Sequence, residues 1–307
     1  SLYAKDITKR LEKAYKKNPQ NPDYYLFLAD QAADNRQWGD ANQNFELAYG
    51  YEPKSSEAYV RYADILKVRN PQESIRILKL LLTENPQSAL GQRELARTYY
   101  DNNMYRDAVE QYGKYVNNPN HFDEDEAEYA FLLFWNQDYQ KGYDYATRLL
   151  AQNPDNYSAM RFQLMNAAQI PALADKMPAM ALKLWTAHIA DPVMRPFAPI
   201  DYNLAADQFS KAKDYEKAEQ VLTEATKQFP NDPRFLQARA FMYLDQDNTQ
   251  AATQAYNEYM AKVSQPTAAD LRTAMILNYA MASQLKDTDA TAAQQFATAL
   301  NGYIAQA

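Results

Sequence analysis

The chain has no cysteine among its 307 residues, which excludes disulfide bonds, thiolate catalysis and cysteine-ligated zinc. Glycine is scarce as well: only six residues are glycine, against a usual share of about 7%. Glycine forms left-handed turns most readily, so its scarcity argues against a sheet-rich fold. No segment approaches the roughly 18 consecutive apolar residues that a membrane span needs. These absences predict a helical chain that does not cross a bilayer.

Positive charge is limited too. The formal net charge is -7, whereas binding to a nucleic-acid backbone requires a concentrated basic face. The sequence therefore predicts no nucleic-acid partner. Residues 1–18 are the exception, with six basic and two acidic side chains, and we interpret them as the solvated face of a terminal helix.

Prolines follow the predicted helices at regular intervals, at Pro19, Pro53, Pro86, Pro154 and Pro230. The intervals are 34, 33, 68 and 76 residues, of which 68 is twice 34 and 76 exceeds that double period by eight. A fixed period of this length indicates stacked helix–turn–helix units in place of one globular core.

Small residues recur at fixed positions of each unit. The eighth position holds Ala29, Ala63, Ala96, Ala130, Ala206 and Ala240, and the twentieth holds Ala41, Ser74, Ala108, Gly142, Ala218 and Ala252. Two helices that touch need small side chains where they cross, because a bulkier group would push them apart. We expect large residues to fill the space beside the crossings: Trp38, Tyr105, Tyr139 and Tyr215 at the seventeenth position, and Phe45, Leu78, Tyr112, Leu222 and Tyr256 at the twenty-fourth.

This pattern resembles the tetratricopeptide repeat, in which a large residue, Leu followed by Gly or Ala, then Tyr, Ala, Phe and a closing Pro recur. One unit matches at Tyr25, Leu28, Ala29, Ala41, Phe45, Ala48 and Pro53, and another at Tyr202, Ala206, Phe209, Tyr215, Ala218, Leu222, Ala225 and Pro230. The proline-rich segment before Asp201 and Tyr202 is similar to arrays of this family that are common in the Bacteroidetes.

The resemblance implies an all-α fold, a right-handed α-solenoid of helix–turn–helix repeats. Units are expected to start near residues 22, 56, 89, 123, 157, 199 and 233. A lone helix at 3–18 precedes them, and a longer helix pair follows residue 267. We divide the chain into an N-terminal array at 1–198 and C-terminal units with capping helices at 199–307, continuous with the first.

The eight surplus residues fall in the unit that spans residues 157–198. Two proline-marked segments there are predicted to be irregular, one at 169–178 and the other at 191–199. Long connections are uncommon in compact stacks and tend to be joints or functional loops. The sequence leaves both interpretations open: a joint that redirects the array, or a loop that contacts a ligand.

Residues that could support catalysis are few. His121 and His188 are the only imidazoles, and we interpret both as structural or solvated. The acidic run Asp123–Glu126 lacks the glycine and the ligand alternation of a calcium loop, and it lies where a helix should begin. No phosphate loop, dinucleotide fingerprint or metallopeptidase motif is found. We predict no enzymatic activity, no cofactor and no metal site.

In the tetratricopeptide family the first helix of each unit lines the inner, concave wall, so the resemblance implies which side chains meet a ligand. These are Arg93, Arg97, Tyr100, Phe131, Phe134, Trp135 and Arg161. Arginine binds carboxylates in a bidentate way and aromatic rings anchor apolar groups, which suits a peptide that carries an acidic group. The alternative is that Phe131 and Trp135 pack against the neighbouring unit while the arginines pair with Asp64 or Asp101.

The predicted function is therefore a protein- or peptide-binding scaffold, expected to be a monomer. Two alternatives stay open: a glycan-uptake envelope lipoprotein on the same frame, and an architectural self-assembling array. The sequence begins with Ser1 instead of Met, so a signal peptide or lipid anchor would lie outside it. We expect a periplasmic or cell-envelope location and leave a cytoplasmic one open.

Overall fold

The computed structural model describes residues 2–52 and 54–307, and within them the chain is helical, with seventeen α-helices and no strand. No helix of this described part combines the length and the apolar character that crossing a membrane requires. The helices are α1 Leu2–Lys17, α2 Pro22–Asp34, α3 Trp38–Gly50, α4 Ser56–Leu66, α5 Pro71–Glu84, α6 Ala89–Asp101, α7 Tyr105–Val116, α8 Glu126–Trp135, α9 Tyr139–Gln152, α10 Tyr157–Ala167, α11 Met177–Ala190, α12 Pro199–Lys211, α13 Tyr215–Gln228, α14 Arg234–Asp245, α15 Thr249–Lys262, α16 Ala268–Leu285 and α17 Ala290–Gln306.

From α2 onward the helices form consecutive pairs, each joined by a short turn, except that α10 and α11 are joined by the longer stretch at residues 168–176. Met177 and Pro178, which were predicted to be irregular, begin α11. The predicted helical repeats are confirmed: the pairs begin where the sequence pattern places them, with a 3₁₀ turn at Asp123–Asp125 preceding α8. The chain forms two compact units, unit 1 at residues 1–145 and unit 2 at 146–307. The sequence analysis divided the repeats into arrays at 1–198 and 199–307. That division follows the repeat pattern and not compactness, and it stays a prediction.

The small residues at the eighth and twentieth positions are buried in both units, as the packing argument requires. Ala96 and Ala108 are fully buried between α6 and α7, and Ala240 and Ala252 between α14 and α15. Ser74 takes the twentieth position of its pair, and its hydroxyl donates a hydrogen bond to the Ala63 carbonyl (2.7 Å), so burial leaves no polar group unsatisfied there.

One predicted core residue is wrong. Trp38 was expected to fill the space beside a crossing, but its side chain is 63% exposed. Tyr105 also begins its helix, but it is covered by its stack on Trp135 of the next pair. In the pair that follows Trp38 the equivalent position holds Val68, which is 85% exposed.

Five of the turns within pairs share one backbone conformation without glycine. Arg36, Asn103, Gln137, Lys213 and Asp247 all have positive φ, between 56° and 64°. In each turn the next amide bonds a carbonyl five residues back, as from Gln37 to Ala32 (2.8 Å) and from Asp214 to Phe209 (2.8 Å). This is the Schellman ending of a helix, which normally places glycine at the left-handed position.

Prolines lie in the turns between pairs, as predicted. Pro19, Pro86, Pro154 and Pro230 follow α1, α5, α9 and α13, while Pro53 lies outside the described residues. Pro119 follows α7 and divides the 68-residue interval in two. Asn, Ser or Asp side chains then cap several of the next helices, as Asn156 does by accepting from the Ala159 amide (3.0 Å).

Replacing a residue in the left-handed conformation of these turns with glycine is predicted to stabilise the chain. We expect Lys213→Gly, at φ 59°, to raise the free energy of unfolding by about 0.5–1 kcal/mol, because the relieved left-handed strain exceeds the added chain entropy. Gln220→Gly, at an exposed position inside α13, is the control and should lower it by about 1 kcal/mol. Urea denaturation of both variants checks this; a loss of stability in both would contradict it.

Candidate functional site

Five aromatic side chains come together in unit 1, on the helices α6, α7 and α8. We call them the aromatic cluster: Tyr100, Tyr105, Phe131, Phe134 and Trp135. The Trp135 ring stacks on Tyr105 (5.8 Å between centroids, 27°) and meets Tyr100, Phe131 and Phe134 edge-on at 5.6–6.2 Å. Trp135 nevertheless stays 39% exposed. Trp135 packs against the neighbouring pair with one face, as the packing alternative expected, while ligand binding by its exposed part stays a prediction.

Arg93 and Arg97 lie one turn apart on α6, and both reach carboxylates at the start of α8. Arg93 Nη1 donates to Asp125 Oδ2 (3.0 Å). Arg97 forms a bidentate pair with Glu128, from Nε to Oε1 (3.0 Å) and from Nη2 to Oε2 (2.6 Å). Glu94 adds a carboxylate 3.0 Å from Arg93 and 3.5 Å from Arg97. The charges of both guanidinium groups are therefore already matched within the chain.

Two buried tyrosines complete this charged network. The Tyr115 hydroxyl donates to Asp125 Oδ2 (2.7 Å), and the Tyr112 hydroxyl lies 2.8 Å from the Asp125 carbonyl and 3.0 Å from Glu128 Oε2. Burial, followed by the charges of Glu128 and Asp125, raises the pKa of Tyr112, so this side chain remains a neutral donor. The network joins α6, α7 and α8 below the aromatic cluster.

The arginine partners differ from those that the packing alternative named. Asp64 and Asp101 were the expected partners, but both lie beside Lys67, at 3.4 and 3.3 Å. Binding of a ligand carboxylate by Arg93 or Arg97 stays a prediction, and it now requires displacing Asp125 or Glu128.

Asp125 and Glu128 were not predicted as partners, because which carboxylate each arginine reaches depends on how consecutive units stack. A signal was present: Asp125 lies 32 residues after Arg93, and Glu128 lies 31 after Arg97. These separations are two and three residues short of the 34-residue period, so the partners lie about one turn earlier in the next unit, beside α6.

Arg161, the predicted site residue of unit 2, is committed to a buried carboxylate. Its Nε and Nη2 atoms lie 2.9 and 2.7 Å from Asp201 Oδ2. The same oxygen accepts from the Ala198 amide (2.8 Å), which caps the start of α12. Arg161 is thus placed to hold the end of the 191–199 segment within unit 2.

The 191–199 segment is irregular, as predicted, and is held by several contacts within unit 2. His188 Nδ1 lies 2.6 Å from the Arg195 carbonyl, and its Nε2 lies 2.8 Å from Glu224 Oε1. The Tyr157 hydroxyl donates to the Pro196 carbonyl (2.8 Å). Phe197 is buried and stacks on the His188 ring (4.1 Å, 19°). His188 therefore has a structural place, since both of its nitrogens and its ring face have partners.

The 169–178 segment contains a 3₁₀ turn at Pro171–Lys176 and lines a cavity of about 600 Å³ together with α12. Met177 and Leu204 supply apolar walls, and Asp175, Gln208 and Lys211 supply polar groups. Lys211 Nζ donates to Asp207 Oδ2 (2.7 Å), so part of this polar wall is internally paired. The eight-residue surplus thus builds a cavity wall as well as a connection.

The acidic run begins the first helix of its pair, as predicted. His121 lies beside it, with Nδ1 2.6 Å from the Asn118 carbonyl and Nε2 2.8 Å from Glu126 Oε1. Burial lowers the pKa of His121, but the bonds to Asn118 and Glu126 outweigh it, so the net shift is upward. His121, Asp123 and Glu126 place their ligand atoms within 4.8 Å of one another. Both imidazole nitrogens of His121 have hydrogen-bond partners within the turn, the Asn118 carbonyl and the Glu126 carboxylate.

The charged network predicts that Arg97 stabilises unit 1. Arg97→Ala leaves Glu128 without its main counter-charge in a half-buried setting, so we expect the free energy of unfolding to fall by about 1–3 kcal/mol. Arg106→Ala, on an exposed part of α7, is the control and should change it by less than about 0.5 kcal/mol. Guanidinium denaturation measures both. Equal stabilities would show that Arg97 does not hold the pairs together.

Comparison with known proteins supports the repeat assignment directly in one region. The family model described as tetratricopeptide repeat matches residues 203–266, which include most of α12 and all of α13, α14 and α15. No curated protein sequence matches the chain.

Solved structures share the fold over most of the chain. The Cut9–Hcn1 hetero-tetramer structure of APC/C matches 89% of this chain with a TM-score of 0.61 at 13% identity, and the match covers 52% of that chain. The present chain thus spans about half the length of that protein. A tetratricopeptide repeat protein from Parabacteroides merdae matches 84% of this chain and 99% of its own (TM-score 0.57, 14% identity).

The C-terminal part of a repeat-containing protein from Cytophaga hutchinsonii matches 80% of this chain and 95% of its own, with a TM-score of 0.56 at 16% identity. The matches from Parabacteroides merdae and Cytophaga hutchinsonii partly support the predicted resemblance to arrays of the Bacteroidetes. At identities of 14% and 16%, the likeness shows the fold alone. Residues 203–266 thus match the tetratricopeptide-repeat family, and the shared architecture shows that the chain has the fold of these repeat proteins.

Proposed function

We propose that this chain is a scaffold that binds a protein or peptide partner, and that the aromatic cluster of unit 1 is its main anchor point. The tetratricopeptide fold is typical of scaffolds for protein–protein interaction. The observation that carries the proposal is the position of Trp135, which is 39% exposed at the centre of four other aromatic rings.

Rigid, partly exposed aromatic rings favour binding for a physical reason. Trp and Tyr are over-represented among the residues that dominate interface energies, because a large apolar area becomes buried with little loss of side-chain freedom. Trp135 is held by its stack on Tyr105 and by the edge of Tyr100. A partner that covers its exposed part gains apolar burial without first ordering the ring.

The charges beside the cluster indicate what the partner contributes. Arg93 and Arg97 already pair with Asp125, Glu94 and Glu128, so a partner carboxylate would gain only by replacing one of these. The partner is therefore proposed to place an apolar or aromatic side chain against Trp135. An acidic group near Arg97 would tune selectivity, because a bidentate arginine distinguishes a carboxylate from a neutral group.

The proposal predicts that Trp135 dominates peptide binding. Peptides selected from a random phage-displayed library on the intact chain should bind Trp135→Ala at least about 30-fold more weakly, the loss expected when an interface anchor is removed. Fluorescence anisotropy with labelled selected peptides measures the dissociation constants.

The chain supplies a matched control. Trp38 is exposed in the same unit, but it begins α3, the second helix of its pair, and lies outside the aromatic cluster as defined above. Trp38→Ala should bind the selected peptides as tightly as the original chain. Unchanged binding by Trp135→Ala, or an equal loss in both variants, would contradict an anchor at the aromatic cluster.

A further inference from the structure

The cavity of about 600 Å³ in unit 2 lies where the array departs from its repeat. Its walls come from the connection between α10 and α11, from the first residues of α11 and from α12. Volumes of this size are typical of sites for small molecules. Repeat packing explains the buried alanines at the helix crossings, but it does not require a cavity at this place.

One nearly buried polar side chain lines this cavity with a hydrogen-bond acceptor left over. Gln208 of α12 is only 2% exposed. Its Nε2 donates to Asp207 Oδ2 (3.1 Å), whereas its Oε1 accepts no hydrogen bond from the described residues. Polar groups at this degree of burial normally have a partner. A ligand in the cavity that carries an N–H donor would supply the missing one.

The charged side chains of the lining favour a positively charged ligand. Asp175 and Asp207 contribute two carboxylates, while Lys211 contributes the one ammonium group of the lining. Lys211 Nζ pairs with Asp207 Oδ2 (2.7 Å). Asp175 is therefore left without a counter-charge from the cavity walls, and the lining as a whole has a net charge of one negative unit.

Helix ends add to this negative potential. α10 ends at Ala167, and the residues that follow it, Ala168 and Gln169, line the cavity. α12 ends at Lys211, which lines the cavity as well. The last carbonyl groups of a helix lack intrahelical partners and carry roughly half a negative charge. α11 begins at Met177 and presents the opposite end, so two negative helix ends outweigh one positive end.

Much of the remaining lining is apolar. Ile170, Met177 and Leu204 supply apolar side chains, and Pro171 and Pro178 supply rings whose φ angles are fixed. A small hydrated ion would leave this surface in contact with water. The lining therefore suits a ligand that joins a positive N–H group to an apolar body.

We propose that this cavity binds an organic ammonium ion with an apolar body, whose N–H groups donate to Gln208 Oε1 and to the Asp175 carboxylate. Free amines and the lysine side chains of peptides share this chemistry. The proposed site is separate from the aromatic cluster of unit 1, and either can fail without the other.

The first test compares three small ligands by NMR chemical-shift titration of the intact chain. Phenethylamine carries an ammonium group and a phenyl ring, and it should bind one site with a dissociation constant below about 1 mM. The alcohol 2-phenylethanol lacks the charge, and phenethyltrimethylammonium lacks the N–H donors. Each should bind at least about tenfold more weakly, because charge and hydrogen-bond donation are both required.

A second pair of ligands identifies the source of the ammonium group. Pentylamine and Nα-acetyl-lysine amide carry the same alkylammonium group, without and with a peptide backbone. Tighter binding of the lysine derivative assigns the site to a peptide side chain, and tighter binding of pentylamine assigns it to a free amine.

Variants of the lining test the assigned contacts. Gln208→Leu keeps the volume and removes the acceptor, so it should weaken phenethylamine binding at least about tenfold. Asp175→Asn, at an exposed residue, should weaken it about three- to fivefold. Asp155→Asn is the matched control, since Asp155 is exposed in unit 2 and does not line the cavity, and it should leave binding unchanged.

Gln208 is buried, so thermal unfolding first establishes that Gln208→Leu folds; the exposed Asp175 provides the test if it does not. The proposal is overturned if phenethylamine shows no saturable binding, or if it binds no more tightly than 2-phenylethanol. It is also overturned if folded Gln208→Leu binds as the original chain does. An equal loss in Asp175→Asn and Asp155→Asn overturns it too, because the amine would then be attracted to acidic surface in general.

Discussion

Close approach of the two helices within each pair is the constraint on which the rest of this structure depends. The alanines at the eighth and twentieth positions are buried where the helices meet, as with Ala96 and Ala108. Packing between consecutive pairs is as tight at Gly91 of α6, where an added Cβ would lie 2.7 Å from a methyl group of Leu81 of α5. A side chain longer than a methyl group at these places would separate the helices and forfeit contact along their whole length.

Regular packing also sets which residues of different pairs can meet. Once successive pairs stack at a constant period, residues about one period apart come together, and Arg93 with Asp125 and Arg97 with Glu128 follow that rule. The longer pair in unit 2, α10 and α11, departs from the period, so other contacts must hold its connection to α12. Arg161, His188 and Tyr157 provide it by bonding the 191–199 segment and the start of α12.

The fold could be predicted from the sequence because its determinants are local and repeated. Alanine at the eighth position and the proline after each pair recur often enough to fix the start of each unit to within a few residues. The site was less predictable, because it depends on which partner each side chain reaches. Arg97 was assigned to the inner face, but its pairing with Glu128 depends on the stacking of two units. Trp38 is exposed whereas Tyr105, at the same position, is half-buried, because the position pattern does not reveal whether the next pair supplies a ring such as Trp135 to cover it.

The sequence indicated the exposed ring of Trp135 more clearly than the exposed side chains of the 191–199 segment. Trp135 was expected on the inner face, and the structure adds the stack on Tyr105 that keeps it in place. Val193 and Met194 were recognised only as part of an irregular segment, because exposure in a loop is set by contacts made elsewhere, here by His188 and Tyr157.

The most direct measurement of the central claim is the free energy of unfolding after one crossing alanine is enlarged. Ala240 is fully buried against α15, whereas Ala261 is exposed near the end of α15, and both lie in the segment that matches the repeat family. Ala240→Leu is predicted to lower the free energy of unfolding by about 1–3 kcal/mol, and Ala261→Leu to change it by less than about 0.5 kcal/mol. If Ala240→Leu unfolded at the same denaturant concentration as the original chain, close helix approach would not be what organises this array.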